Sequence, residues 1–102
     1  MTSNDPAGKA LKVEATFYGG LVHIFKKNKM HIDLKNAGDI RSLLQYLCVS
    51  NECRTKLFDD NGNLQPNITV VRNGRNIRFE NELDTRLDGG DTIAIFPPVA
   101  GG

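Results

Sequence analysis

The chain has 102 residues, 39% hydrophobic and 25% charged, a size and balance that suit one globular domain with a modest core. Thirteen basic and twelve acidic side chains leave a formal charge of +1, which argues against a protein that works by neutralising nucleic-acid phosphates. No apolar run approaches the ~20 residues needed to span a bilayer, and residues 1–10 lack the apolar stretch of a secretory signal, so a cytoplasmic location is expected.

Residues 1–10 carry Ser, Asn, Asp, Pro and Gly and read as a flexible leader. Leu11, Val13, Ala15 and Phe17 then alternate with Lys12, Glu14, Thr16 and Tyr18, the period of a half-buried strand. Gly19-Gly20 breaks it, and an apolar stretch over residues 21–25 follows. Alternation resumes with Met30, Ile32 and Leu34 on one face and Lys29, His31 and Asp33 on the other, which predicts a first hairpin with a long connection.

Asp39, or Asn36 one turn earlier, is a suitable helix N-cap, because its short side chain accepts a free backbone N–H. Ile40, Leu43, Leu44 and Leu47 follow at the spacing of one apolar helix stripe. Residues 50–66 lose periodicity and contain Asp60, Asn61, Gly62 and Pro66, so a surface loop is expected there, pinned to the core by Lys56-Leu57-Phe58.

A third strand is predicted over residues 67–72, and Asn73-Gly74 is a strong hairpin signal because both positions tolerate positive φ. Residues 76–79 should return as a short strand. Leu83 and Leu87 flank an irregular turn, residues 88–91 form another, and residues 92–96 form the last strand. Pro97-Pro98 ends it, since neither proline can donate to a sheet ladder. The predicted order is β-β-α-β-β-β, an α+β fold with one helix across one face of a mixed sheet, as in a β-grasp. The domain proper spans residues 11–96, and residues 97–102 form a flexible tail.

The tail is the segment richest in chemistry. Its six residues, Pro97-Pro98-Val99-Ala100-Gly101-Gly102, stiffen at two prolines, shrink through Val99 and Ala100, and reach at most roughly 20 Å when extended. Such a tail can thread a narrow channel and present a carboxylate inside another protein. Glycine at the end permits close backbone approach and leaves the Gly102 carbonyl unhindered. A carboxylate is a poor acyl donor until its oxygen becomes a good leaving group, so an ATP-using partner would adenylate Gly102. Val99, Ala100 and Gly101 would carry that carboxylate into the partner's site. The chain itself has no Walker loop, and no bound cofactor is expected. An interaction domain with an inert tail is the alternative.

Other candidate residues carry less chemistry. Cys48 and Cys53 stand alone without the further ligands of a zinc site, so no metal is expected and two free thiols packed near a helix end are the plain expectation. His23 and His31 have no recognisable nucleophile partner, and His31 falls on the polar phase of its strand. Arg72, Arg75 and Arg78 are expected at a solvated hairpin end, and Glu82, Asp84, Asp88 and Asp91 are read as turn-formers. Ala94 and Phe96 lie on the opposite phase of the last strand from Ile93 and Ile95. Next to the tail, they make a candidate docking surface for the activating partner.

The body of the chain resembles the ubiquitin-related modifier family through Val13-Glu14-Ala15-Thr16-Phe17 before Gly19-Gly20, Asp39-Ile40-Arg41-Ser42-Leu43-Leu44, Lys56-Leu57-Phe58 and Glu82-Leu83-Asp84. The end, especially Phe96-Pro97-Pro98-Val99-Ala100-Gly101-Gly102, is similar to the small subunit of molybdopterin synthase; Ala100 stands where modifier tails carry histidine. Both families are ubiquitin-like β-grasp sulfur carriers rather than enzymes. The resemblance implies adenylation at Gly102 by a ubiquitin-activating-like adenylyltransferase and conversion to a thiocarboxylate by a sulfurtransferase with a rhodanese-type persulfide. The modifier family implies a downstream enzyme of 2-thiolation at the transfer-RNA wobble uridine, and attachment to protein lysines. The alternative implies a molybdopterin synthase large subunit that receives the tail.

Overall fold

The computed structural model describes residues 10–35 and 38–97; the leader residues 1–9, the alternative cap Asn36 and the tail residues 98–102 lie outside the described residues. Strand β1 (Ala10–Phe17) begins one residue earlier than its alternation suggested. A short helix, α1 (Leu21–Phe25), leads to β2 (Lys29–Lys35), and Lys26 closes α1 in the left-handed region at φ 64°. The apolar stretch of residues 21–25 is thus the helical part of a long hairpin connection.

Helix α2 (Ile40–Leu47) starts where Asp39 predicts, with the Asp39 carboxylate accepting the Ser42 N–H at 2.9 Å. Ile40, Leu43, Leu44 and Leu47 are all buried. They pack into one core with Val13, Ala15 and Phe17 of β1 and with Ile32 of β2, while Met30 is half-buried against it. That core is the physical reason the helix lies across the sheet, since an eight-residue helix is too short to persist without a buried face.

The expected loop over residues 50–66 is corrected by helix α3 (Asn51–Leu57), capped by Ser50, whose hydroxyl accepts the Cys53 N–H at 3.2 Å. Its seven residues bury only Cys53 and Leu57, one turn apart, so no stripe was long enough to read as a period. The free-thiol expectation is corrected too: Cys48 and Cys53 form a disulfide, with sulfur atoms 2.06 Å apart and Cα atoms 5.1 Å apart. On one continuous helix these side chains would diverge. Because α2 ends at Leu47 and α3 begins only at Asn51, the two cysteines stand on separate elements, and each is buried in the core.

Strand β3 (Thr69–Arg72) is joined to β4 (Arg75–Asn76) by Asn73-Gly74, with φ of 51° and 86° as the turn requires. The return strand expected over residues 76–79 stops at Asn76. Its side chain accepts the Arg78 N–H at 2.9 Å and bends residues 77–79 into a 3₁₀ turn. A second 3₁₀ turn covers residues 82–84, and β5 (Thr92–Phe96) closes the sheet. The five strands run in the order β2-β1-β5-β3-β4, with β1 and β5 parallel and the other pairs antiparallel. A mixed sheet clasping one long-faced helix is the ubiquitin-like β-grasp. The last strand therefore lies in the middle of the sheet, and Pro97 follows it at the sheet's centre rather than at its edge.

Candidate functional site

The base of the tail is built from the end of β1 and the end of β5. Their parallel register sets Thr16 beside Ala94 and Phe17 beside Ile95, and the Tyr18 N–H donates to the Ile95 carbonyl at 3.2 Å. Ile93 and Ile95 are fully buried against the core, whereas Ala94 and Phe96 on the other phase are half-buried on the outer face. Val71 of β3 sits across from Ala94, and Thr69 across from Phe96. The Tyr18 ring stacks on Phe96, with centroids 4.4 Å apart and an interplanar angle of 11°. Tyr18, Ala94, Phe96 and Val71 thus share the sheet face that α2 does not cover.

The start of β5 is held by a charged knot. Asp91 is 6% exposed. Its carboxylate accepts from Arg72 Nε at 2.7 Å, the Asp88 N–H at 2.7 Å and Asn73 Nδ2 at 2.8 Å. Asn73 also welds its turn to β5, donating its backbone N–H to the Thr92 carbonyl at 2.8 Å and accepting the Thr92 N–H at 2.9 Å. Burial pushes the Asp91 carboxyl up, but the hydrogen bonds from Asp88, Asn73 and Arg72 outweigh it and hold the carboxyl below its ordinary 3.8. The hydrogen bond to Asp91 in turn raises the Arg72 guanidinium, against its burial.

The three arginines are therefore not one solvated patch. Arg72 is consumed by Asp91, Asp88 and Glu80, while Arg75 stays exposed near Glu80 and Arg78 donates to the Pro66 carbonyl at 3.1 Å. Asp88 and Asp91 do form a turn as expected. Glu82 and Asp84 sit in a 3₁₀ turn, and Asp84 is 3.3 Å from Arg41. His31 lies on the exposed face with Nε2 3.2 Å from Glu14, a strand-surface pair. His23 is exposed on α1. Among the described residues no group of three or more His, Cys, Asp and Glu is placed to hold a metal ion, and no helix is long and apolar enough to cross a membrane.

Of the residues singled out in the sequence, Ala94 and Phe96 come together on the outer face at the end of β5, whereas Val99, Ala100, Gly101 and Gly102 lie outside the described residues. Tyr18 and Gly19 were missed as parts of this region. The available signal was Tyr18 itself, a large aromatic on the outward phase shared by Lys12, Glu14 and Thr16.

The sequence profile described as the ThiS family matches residues 16–102. Small archaeal modifier protein 3 of Haloferax volcanii is 24% identical over 92 residues, spanning 90% of this chain and 100% of that protein. Ubiquitin-related modifier 1 of Schizosaccharomyces pombe is 30% identical over 98 residues, spanning 91% of this chain and 99% of its own. The crystal structure of small archaeal modifier protein 1 from Haloferax volcanii superposes with a TM-score of 0.76 at 26% identity, covering 89% of this chain and 99% of that one. With a mixed sheet that delivers its central strand to a Gly-Gly tail, the chain belongs to the ThiS family of ubiquitin-like, β-grasp sulfur carriers.

Proposed function

We propose that the chain is a sulfur carrier and small modifier whose reacting group is the carboxylate of Gly102. The observation that carries this reading is the family match extending through Gly101-Gly102, on a chain whose central strand ends immediately before that tail. A carboxylate oxygen of Gly102 attacks the α-phosphorus of ATP on an activating enzyme and releases pyrophosphate. A persulfide sulfur of the partner then attacks the acyl carbon and expels AMP. A thiol cleaves the resulting acyl disulfide, leaving the thiocarboxylate. ATP belongs to the partner, and this chain is its co-substrate rather than a catalyst. Val99, Ala100 and Gly101 carry the reacting carbon into the site, and Ala94 and Phe96 form the docking surface together with Tyr18.

The proposed use of the sulfur is 2-thiolation of transfer-RNA wobble uridine in the cytoplasm, with attachment to protein lysines as a second outcome of the same activated carbonyl. This follows the modifier-like body. The tail from Phe96 to Gly102 favours a second reading, in which the chain is the small subunit of molybdopterin synthase. Deleting the gene separates the two: the first predicts loss of 2-thiolated transfer RNA, the second loss of molybdenum-cofactor activity with thiolation intact. Both predict that protein isolated from its own cell contains a form with one terminal oxygen replaced by sulfur on intact-mass analysis. A single unmodified mass under sulfur-replete growth contradicts the carrier reading itself.

A further inference from the structure

The contacts that join the end of β1 to the end of β5 continue beyond the ladder. Tyr18 bonds the Ile95 carbonyl through its N–H and stacks its ring on Phe96. The next residue, Gly19, adopts φ +57°, and a Cβ built on it would stand 2.8 Å from Pro97 Cγ and 3.5 Å from Pro97 Cδ. Real carbon pairs do not approach so closely, so the Pro97 ring occupies the space that a side chain at residue 19 would need. The neighbouring Gly20 is different: nothing lies within 4 Å of a Cβ there. Only the first glycine of the pair is therefore required by a close approach.

Proline makes this contact consequential. Its ring is fused to its own backbone, with φ locked near −65°, so Cγ cannot swing aside as the tip of a flexible side chain would. Anything that displaces the ring also rotates the backbone at the point where the chain departs from the sheet. We infer that Tyr18 and Gly19 form a clamp on Phe96 and Pro97 that fixes the direction in which the tail leaves the domain, so that Gly19 is a positioning residue for the Gly102 carboxylate. This role rests on the reading of Gly102 given above. In that reading the acyl carbon must meet a phosphorus atom held by another protein, and Pro97 is the point from which the chain sets out towards it, five residues before Gly102.

The clamp and its role are tested separately. In the wild-type chain, proton NMR should show cross-peaks between the Gly19 α protons and the Pro97 ring, and their absence overturns the clamp whatever the activity. The role is tested by carrier-dependent ATP–pyrophosphate exchange with the cognate activating enzyme, with melting temperature as the folding control. Gly19→Ala should lower kcat about 10- to 100-fold, the scale on which small misplacements act, with the KM for the carrier nearly unchanged because Ala94 and Phe96 are untouched. Gly20→Ala should behave as wild type.

Adding Pro97→Ala to Gly19→Ala removes the obstructing ring carbon but leaves the positive φ at residue 19. Pro97→Ala alone should lower kcat by loosening the clamp, and adding Gly19→Ala to it should lower kcat no further, whereas backbone strain at residue 19 would cost the same in either background; such additive losses overturn the clamp's role. Should Gly19→Ala unfold, Pro97→Gly carries the test instead, with a fall in kcat expected at constant KM. Equal kcat for wild type and the folded Gly19 or Pro97 variants refutes the positioning role while leaving Gly102 as the reacting group. A wild-type chain that drives no exchange at all refutes the Gly102 reading, and the positioning role falls with it.

Discussion

Replacing Asp91 by Ala removes a buried carboxylate that binds three donors: Arg72 Nε at 2.7 Å, the Asp88 N–H at 2.7 Å and Asn73 Nδ2 at 2.8 Å. Truncating one member of a buried ionic pair costs about 3–5 kcal/mol, mostly through the charge left behind. Here Arg72 keeps Asp88 at 3.1 Å and Glu80 at 3.5 Å, and 18% of its side chain reaches water. The expected loss is therefore at the lower end, about 3 kcal/mol. The same geometry sets its pH dependence. Hydrogen bonding more than offsets burial, so the folded-state carboxyl lies below its ordinary 3.8. A carboxyl depressed in this way contributes stability that is complete above its unfolded value and is lost as pH falls through its folded value. Urea titrations of wild type and Asp91→Ala should differ most near neutrality and converge only below about pH 4. A difference under about 1 kcal/mol at pH 7, or one that persists undiminished in acid, refutes the view that this knot holds the start of β5.

Truncating Leu44, which is 0% exposed at the centre of the helix stripe, to Ala should cost about 2–5 kcal/mol in the same titration. Reducing the Cys48–Cys53 disulfide should lower stability by about 2 kcal/mol, the entropy released by so short a loop; an unchanged urea midpoint in reductant shows that it contributes nothing. Ala94→Arg places a charge on the outer face without entering the core. It should leave the melting temperature within about 2 °C of wild type while raising the KM of the activating enzyme about tenfold, and an unchanged KM removes Ala94 from the docking surface.

Local signals were read well from the sequence. Period-two alternation located β1 and β2, Pro97-Pro98 marked the end of β5, Asp39 announced α2, and Asn73-Gly74 announced its turn, because each depends on residues close in the chain. Short or long-range features were lost. Helix α3 has too few buried positions to show a period, and the 3₁₀ turn at residues 77–79 depends on one side chain of Asn76 capping its own backbone. The Arg72–Asp91 pair spans 19 residues. The Tyr18–Phe96 stack joins the two halves of the chain. Neither is visible until β5 is known to lie between β1 and β3. The disulfide is not legible in the spacing of Cys48 and Cys53, because their pairing depends on α2 ending at Leu47 and α3 starting at Asn51, which sets the two cysteines on separate elements of the core.

The central claim is that the terminal carboxylate of Gly102 reacts, and a register change at that carbon tests it most directly. Deleting Gly102, or adding one residue after it, shifts the acyl carbon by about 3.5 Å while leaving every strand and helix of the domain in place. A reaction that needs in-line approach to a phosphorus atom cannot absorb such a shift. ATP–pyrophosphate exchange with the cognate activating enzyme should therefore vanish for both variants, with melting temperatures equal to wild type. Exchange at the wild-type rate by a folded chain lacking Gly102 would contradict the account.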